Sequence, residues 1–196
     1  LIPMSMFTED EEPFKGDPRY ALERVLKNYE SKGLKAIAAT EMEFYLIDER
    51  KTSILPPINP ISKQRLSTSD VLGISELDCF DDFFTDLQNG CEQIGITIQS
   101  VTSESGCGQF EVTLKHCDAL TASDDAWLFK LLTKGLARKH GIAATFMAKP
   151  YLKDVGNGMH IHFSIIDRNG KNIFNNDKNE GSKLLKSAVA GCLQCL

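Results

Sequence analysis

The sequence predicts an α+β fold, with a largely antiparallel sheet and flanking helices. Three observations lead there. Several short stretches alternate apolar and polar residues with a period of two, as half-buried strands do. Others repeat apolar residues at helical spacing. The strand-like stretches are joined sometimes through a helix and sometimes through a short turn, a mixture that regular βαβ units would not produce. At 196 residues the chain has material for one large domain or two small ones.

In order, the acidic run "TEDEEP" (8–13) reads as an exposed loop. "GDPRYALERVLKNYESKG" predicts a helix with Asp17 as N-cap, Pro18 in the first turn, an apolar face of Leu22, Val25, Leu26 and Tyr29, and Gly33 as terminator. "ATEMEFYLID" predicts a strand whose even positions Ala38, Thr40, Met42, Phe44 and Leu46 oppose Glu41 and Glu43. Residues 51–75, with Pro56, Pro57 and Pro60, lack periodicity and predict a long loop. "ELDCFDDFFTDLQNGCEQIG" predicts one helix burying Leu77, Phe80, Phe83, Phe84, Leu87 and Cys91. "ITIQSVTSE" and "QFEVTLKH" read as strands joined by a glycine-rich turn. "TASDDAWLFKLLTKGLARKHG" predicts a helix capped by Thr121 or Ser123, with Asp124 and Asp125 in its first turn and a stripe of Trp127, Leu128, Leu131, Leu132 and Leu136. "AATFMAKP" and "MHIHFSIID" read as strands, and a final helix is expected from about Ser182.

Composition narrows the class. A net charge of −5 argues against a nucleic-acid surface, and no apolar run is long enough to cross a membrane. No basic-then-apolar leader precedes the first residues. The six scattered cysteines read as free thiols of a cytoplasmic protein, and the C-x-x-C of Cys192 and Cys195 has no second pair to make a metal site. The chain opens on Leu1, and "AGCLQCL" continues a helical pattern without a closing cap, so it reads as part of something longer.

The chemistry lies in the polar faces of the strands. Glu41 and Glu43 project from one side of a strand, close enough to repel. Glu104 ends another strand, Glu111 shares a face with Gln109, Thr113 and Lys115, and His160 and His162 share a face opposite Met159, Ile161, Phe163 and Ile165. A sheet with one wet side accounts for any single case. Together, carboxylates with an imidazole suit Mg²⁺ or Mn²⁺, and a bound cation would turn mutual repulsion into shared ligation. The turns "ESGCGQ" and "VGNGMH" let backbone approach a ligand closely.

The blocks "EMEF", "ESGCGQFE", "TFMAKP" and "GNGMHIH", in this order and spacing, resemble the glutamine synthetase family. "EFYLID", "GQFE", "AATFMAKPY" and "GMHIH" resemble its γ-glutamylpolyamine synthetase-like branch. The resemblance implies a glutamine synthetase-like catalytic domain with two ions, Mg²⁺ or Mn²⁺. Glu43, Glu104 and Glu111 would hold the ion near the amino-acid substrate, and Glu41 and His160 the ion near the nucleotide phosphates. Gly156 would contact glutamate, and His162 and Ser164 would lie near ATP; Lys149 reads as a solvated strand-end lysine without a role. Val155 stands where ordinary members carry an asparagine that helps hold glutamate, which leaves the identity of the acid substrate open; the polyamine-type branch shows a similar absence, which makes an amine other than ammonia plausible as acceptor.

The implied reaction is ATP-dependent amide formation between the γ-carboxylate of glutamate and ammonia or an amine, through an acyl phosphate. The carboxylates enter it as ligands, and no residue is assigned as a general acid or base. The resemblance also implies that residues 1–196 are the N-terminal part of the catalytic domain. The β-grasp domain and the C-terminal part would be missing, the intact enzyme would be a ring-shaped homo-oligomer, and this piece would be inactive alone. A two-metal hydrolase and a non-catalytic structural relative are the competing readings.

Overall fold

The strand that carries the paired glutamates, β1 (Leu34–Ile47), runs through both of the compact units into which the chain divides. The structure is a computed structural model that describes residues 2–49, 53–178 and 180–195, so the loop expected from residue 51 is seen from Ser53 onward.

The larger unit comprises residues 39–115 and 123–161. It contains β2 (Ile98–Ser103), β3 (Gln109–Leu114) and, after β4 (Cys117–Asp118) of the smaller unit in the chain, β5 (Ala143–Thr145). β3 pairs antiparallel with β1 from Glu41↔Thr113 to Tyr45↔Gln109, and β2 pairs antiparallel with β3. β5 pairs antiparallel with β1 from Tyr45↔Thr145 to Ile47↔Ala143. Tyr45 therefore has a strand on each side, and β1 is central here.

The expected alternation holds on β1. Met42, Phe44 and Leu46 are buried with Phe110, Val112 and Leu114 of β3. They pack with Phe83, Leu87 and Cys91 of α3 (Asp81–Gln93) and with Phe129 of α4 (Ala119–Lys139). Each such aromatic or aliphatic side chain contributes about 1.5–3 kcal/mol by leaving water. The polar face is thereby left for the glutamates.

Four expectations change in this part of the chain. The single helix expected after Glu76 is two, α2 (Ser75–Cys79) and α3, broken at Phe80, whose φ of −113° and ψ of 23° leave the helical region. The break sets the Phe80 ring edge-on to Phe110 at 5.8 Å and places Asp81 and Asp82 in the first turn of α3, where negative charge is favourable. α4 starts at Ala119, and its first turn is bonded by Asp118, whose Oδ1 accepts from Thr121 N–H at 3.1 Å; Thr121 and Ser123 lie inside the helix. Trp127 and Leu131 are 49% and 39% exposed. The buried side of α4 is Ala126, Phe129, Thr133, Leu136 and Ala137, where small residues let Phe129 reach within 6.4 Å of Phe44. Finally, "AATFMAKP" is a strand only at β5, and "MHIHFSIID" only from Ile161, so His160 stands just before its strand.

The 53–74 loop is held by polar bonds. Arg65 Nη2 donates to the buried Asp48 Oδ2 at 2.8 Å, and Arg65 Nη1 donates to the Pro56 carbonyl. Ser103 Oγ lies 2.7 and 2.8 Å from the carbonyl oxygens of Asp70 and Gly73, which share its one proton.

The smaller unit comprises residues 2–38, 116–122 and 162–195. Its β4 (Cys117–Asp118) pairs antiparallel with the start of β1, and β6 (Ile161–Asp167) also pairs with β1. α1 (Pro18–Glu30) is capped by Asp17, whose Oδ1 accepts from Arg19 N–H at 2.9 Å, and Gly33 follows with φ +70°. Leu26 and Tyr29 pack partly against Ala36, Ile165 and Phe174, but Val25, expected on the same face, is 50% exposed. α5 (Lys183–Gln194) begins where its helical pattern is expected, and the Ser182 side chain caps it. All six cysteines are free thiols, and burial pushes the Cys91 thiol up to about 12. Among the described residues no helix is long and apolar enough to cross a membrane.

Candidate metal centre

The polar face of β1 and β3 brings Glu41, Glu43 and Tyr45 beside Gln109, Glu111 and Thr113, because antiparallel pairing puts odd positions of both strands on one side. Glu43 and Glu111 are direct partners across the ladder. Their side chains do not stay opposed. Glu43 Oε2 accepts from Gln109 Nε2 at 3.1 Å, while Glu111 groups with Glu41 and His160.

His160 reaches β1 through its backbone first. Its carbonyl accepts from Glu41 N–H at 3.0 Å, which brings its ring to the same carboxylate. His160 Nδ1 lies 2.9 Å from Glu41 Oε2. One ligand atom from each of Glu41, Glu111 and His160 lies within 4.8 Å of the others. The His160 side chain is 70% exposed and that of Glu41 20%, so the cluster is open to solvent on the histidine side.

The electrostatics show like charge confined in a small space. Burial pushes the Glu111 carboxyl above the usual carboxylate range, and the charges of Glu41, Glu104 and Glu43 push it further, against the pull of His160. The hydrogen bond and charge of Glu41 raise the imidazole of His160 above its ordinary value.

The other expected residues fall as follows. Glu104 lies one residue past β2, with its N–H bonded to the Gln109 carbonyl at 2.9 Å, and acts on Glu111 through its charge. Gly156 turns its carbonyl to Gln109 Nε2 at 3.0 Å, and a Cβ there would stand 2.5 Å from the Ala148 carbonyl oxygen. Val155 contributes its carbonyl, which accepts from the Tyr45 hydroxyl at 2.8 Å. Lys149 is exposed as expected, but it lies beyond the end of β5, and its Nζ donates to the Asp154 carbonyl and closes the loop before Val155. His162 and Ser164 lie on β6 in the smaller unit, the first exposed and the second half-buried. Opposite them Ile165 is buried, but Met159, Ile161 and Phe163 are 52%, 61% and 44% exposed.

Three residues around this face were not singled out as site residues by sequence reasoning: Tyr45, Gln109 and, bonded to Gln109, Asn157. Gln109 carried a usable signal, since it shares the two-residue period of Glu111. Gly158 also matters, because a Cβ there would stand 2.8 Å from Glu43 Oε1 and 3.6 Å from His160 Nε2.

The donor set fits a hard divalent cation: carboxylate oxygens with one imidazole, in like-charge crowding that a cation would relieve. Mg²⁺ or Mn²⁺ matches this chemistry better than a thiolate-seeking ion, since no cysteine joins the cluster among the described residues.

A sheet face of clustered carboxylates beside a glycine-rich turn defines a class that comparison with known proteins makes explicit. The model of the glutamine synthetase catalytic domain matches residues 15–196, and the chain belongs to that family. It is 36% identical over 197 residues to γ-glutamylputrescine synthetase PuuA of Escherichia coli (strain K12), an alignment covering 98% of this chain and 42% of that protein. It is 35% identical to glutamate–isopropylamine ligase of Pseudomonas sp, covering 87% of this chain and 37% of the relative. Among solved structures, the GmaS/ADP complex superposes with a TM-score of 0.77 at 30% identity, covering 88% of this chain and 39% of that one. The chain thus spans about two fifths of the proteins it matches.

Proposed function

We propose that the protein is an ATP-dependent ligase that joins the γ-carboxylate of glutamate to an amine. The observation that carries this reading is the convergence of Glu41, Glu111 and His160 to within 4.8 Å on one sheet face of a glutamine synthetase catalytic domain. In this reading Glu43, Glu104 and Glu111 hold one divalent cation, Mg²⁺ or Mn²⁺, and Glu41 and His160 hold a second. Glu111 stands with the Glu41–His160 pair, so the two sets adjoin. Gly156 faces glutamate, and His162 and Ser164 serve ATP. Bound cations would neutralise phosphate oxygens and fix the line of phosphoryl transfer.

The chain's own residues present acceptors and orient them. The β1–β3 ladder fixes the spacing of Glu41, Glu43 and Glu111, and the turn at 156–158 brings backbone against Glu43 without a side chain intervening. The γ-carboxylate oxygen attacks the γ-phosphorus of ATP and ADP leaves. The amine nitrogen then attacks the acyl carbon, phosphate leaves with the bonding pair, and the nitrogen loses a proton. The names of the two relatives, which specify putrescine and isopropylamine, support an amine over ammonia as acceptor. Residues 1–196 then form the N-terminal part of the catalytic domain of a longer cytoplasmic enzyme with a β-grasp domain, assembled as a ring-shaped homo-oligomer.

The test is a substrate panel on the full-length protein with Mg²⁺ or Mn²⁺, ATP and glutamate, against ammonia, ethanolamine, isopropylamine and putrescine. The expected result is amine-dependent ADP release with an equal yield of γ-glutamyl amide by mass spectrometry. ATP-independent release of phosphate from a supplied phosphomonoester, or of amine from a supplied γ-glutamyl amide, would establish a hydrolase instead. An absence of both turnover and saturable Mn²⁺ binding would establish a structural relative.

A further inference from the structure

We propose that Gln109 is a positioning residue, whose buried side-chain amide orients Glu43 for the cation and couples that carboxylate to the Gly156–Asn157 turn. The inference rests on the metal-centre reading above.

Gln109 opens β3 and is 1% exposed, so its amide must be satisfied by protein groups. Its orientation is determined by what surrounds it. Gln109 Oε1 accepts from Gly106 N–H at 3.0 Å, while the backbone N–H of Gln109 donates to the Gly106 carbonyl at 2.9 Å. Reversing the amide would set two donors against each other at Gly106. Gly106 cannot move aside easily, since a Cβ there would already overlap the Tyr45 hydroxyl at 1.9 Å. The NH₂ group is therefore aimed at the site.

It meets three acceptors: Glu43 Oε2 at 3.1 Å, the Gly156 carbonyl at 3.0 Å and Asn157 Oδ1 at 3.0 Å. An amide NH₂ has two hydrogens. One acceptor is surplus, and the structure shows which can leave. Gly156 is backbone, and Asn157 is held by its own Nδ2, which donates to the Met147 carbonyl at 2.9 Å. Glu43 is the one that can turn away without leaving the amide unsatisfied. Gln109 thus guides Glu43 without competing for it at full strength. A glutamine serving packing alone needs two acceptors, not a third that belongs to a candidate ligand.

The test uses the full-length protein and two substitutions. Gln109→Glu keeps the volume and the Gly106 bond but removes the donor; Gln109→Met removes both polar atoms. Mn²⁺ affinity, read from the EPR signal of free Mn²⁺, is expected to fall about 10–100-fold in both, the range typical of residues that orient a metal ligand. KM for glutamate is expected to rise with little change in KM for ATP, because the Gly156 turn is the part uncoupled. A purely structural role would lower the active fraction, and so apparent kcat, while leaving both KM values and the Mn²⁺ affinity of the folded protein unchanged. That outcome, with wild type binding Mn²⁺ normally, overturns the inference. Wild type that binds no Mn²⁺ overturns the metal-centre reading and this inference with it. If neither variant folds, cryo-EM of the wild type with and without Mn²⁺ decides. Glu43 shared between Gln109 and the ion, or moving from one to the other, supports the role; a Gln109 amide turned from Glu43 in both states refutes it.

Discussion

Glu43 and Glu111 face each other directly across β1 and β3, an arrangement that destabilises a sheet when both are charged. The fold separates them sideways. Glu43 leans to Gln109, and Glu111 leans to Glu41 and His160, where burial and neighbouring charge raise its carboxyl. Glu111→Gln removes one charge from that crowd while keeping its shape. Two effects of opposite sign follow. The ion-free protein should melt at a higher temperature in calorimetry, because a neutral amide is not repelled by Glu41, Glu43 and Glu104. Mn²⁺ affinity by titration calorimetry should fall by at least about 100-fold, beyond the 10–100-fold typical of groups that only orient a ligand. Unchanged affinity would remove Glu111 from the ligand set. At this scale the alternation in "EMEF" and "QFEV" made the shared carboxylate face of β1 and β3 legible in the sequence. The diagonal lean was not legible, because period two tells which side a residue takes and not which neighbour it prefers. The period also put Gln109 on that face, but not its burial, because a neutral amide on a wet strand face has nothing in sequence to mark it as buried.

At the scale of elements, the readings that held were those with a local chemical cause. Asp17–Pro18 started α1 and Ser182 started α5, as cap chemistry requires. Of those that failed, the α4 cap moved from Thr121 or Ser123 to an upstream carboxylate, Asp118, and the others depended on what packs against the element. The Phe80 break and the outward Trp127 follow from the shape of a core assembled from distant segments, which helical spacing alone cannot report. Asp17 gives a pH-dependent test. Its carboxyl is held below the usual range chiefly by the Met6 N–H at 2.9 Å, with Arg19 N–H adding to it. A carboxyl with a depressed folded pKa contributes stability that is fully present above its unfolded value of about 3.9 and is lost as pH falls through the folded value. Asp17→Asn keeps the cap on Arg19 but turns an N–H toward Met6. Its urea midpoint should therefore lie below that of wild type at pH 7, and the gap should narrow below about pH 4. A gap independent of pH would show that the charge contributes nothing. The 53–74 loop gives a second test. With Arg65→Ala, the bonds to Asp48 and Pro56 are lost, and limited proteolysis should cut within residues 53–74 faster than in wild type while the core helices stay protected.

For the whole molecule, the α+β class was legible because several strands alternate cleanly and their connections mix helices with turns. The division into two units was not, because β1 is one uninterrupted strand that serves both. Nor was the exposure of Met159, Ile161 and Phe163, since a shared apolar face in sequence does not say what covers it. The division bears on function. Glu41, Glu43, Glu104, Glu111 and His160 all belong to the larger unit, whereas His162 and Ser164, the candidates for ATP, belong to the smaller. The proposed ligands are held by the β1–β3 ladder, the Glu104–Gln109 backbone bond and the backbone bond from Glu41 to His160, so the 196-residue chain should bind Mn²⁺ with saturation by EPR. Amide synthesis asks for more, because phosphoryl transfer depends on gripping the nucleotide as well as the ion. A chain spanning 42% of γ-glutamylputrescine synthetase PuuA should supply that only in part. With ATP, glutamate and putrescine, it should release no ADP above background while the full-length protein turns over under the same conditions. Turnover by this chain at the full-length rate would mean that every group needed for the chemistry already lies within these residues. The binding and transfer functions would then be inseparable at this length.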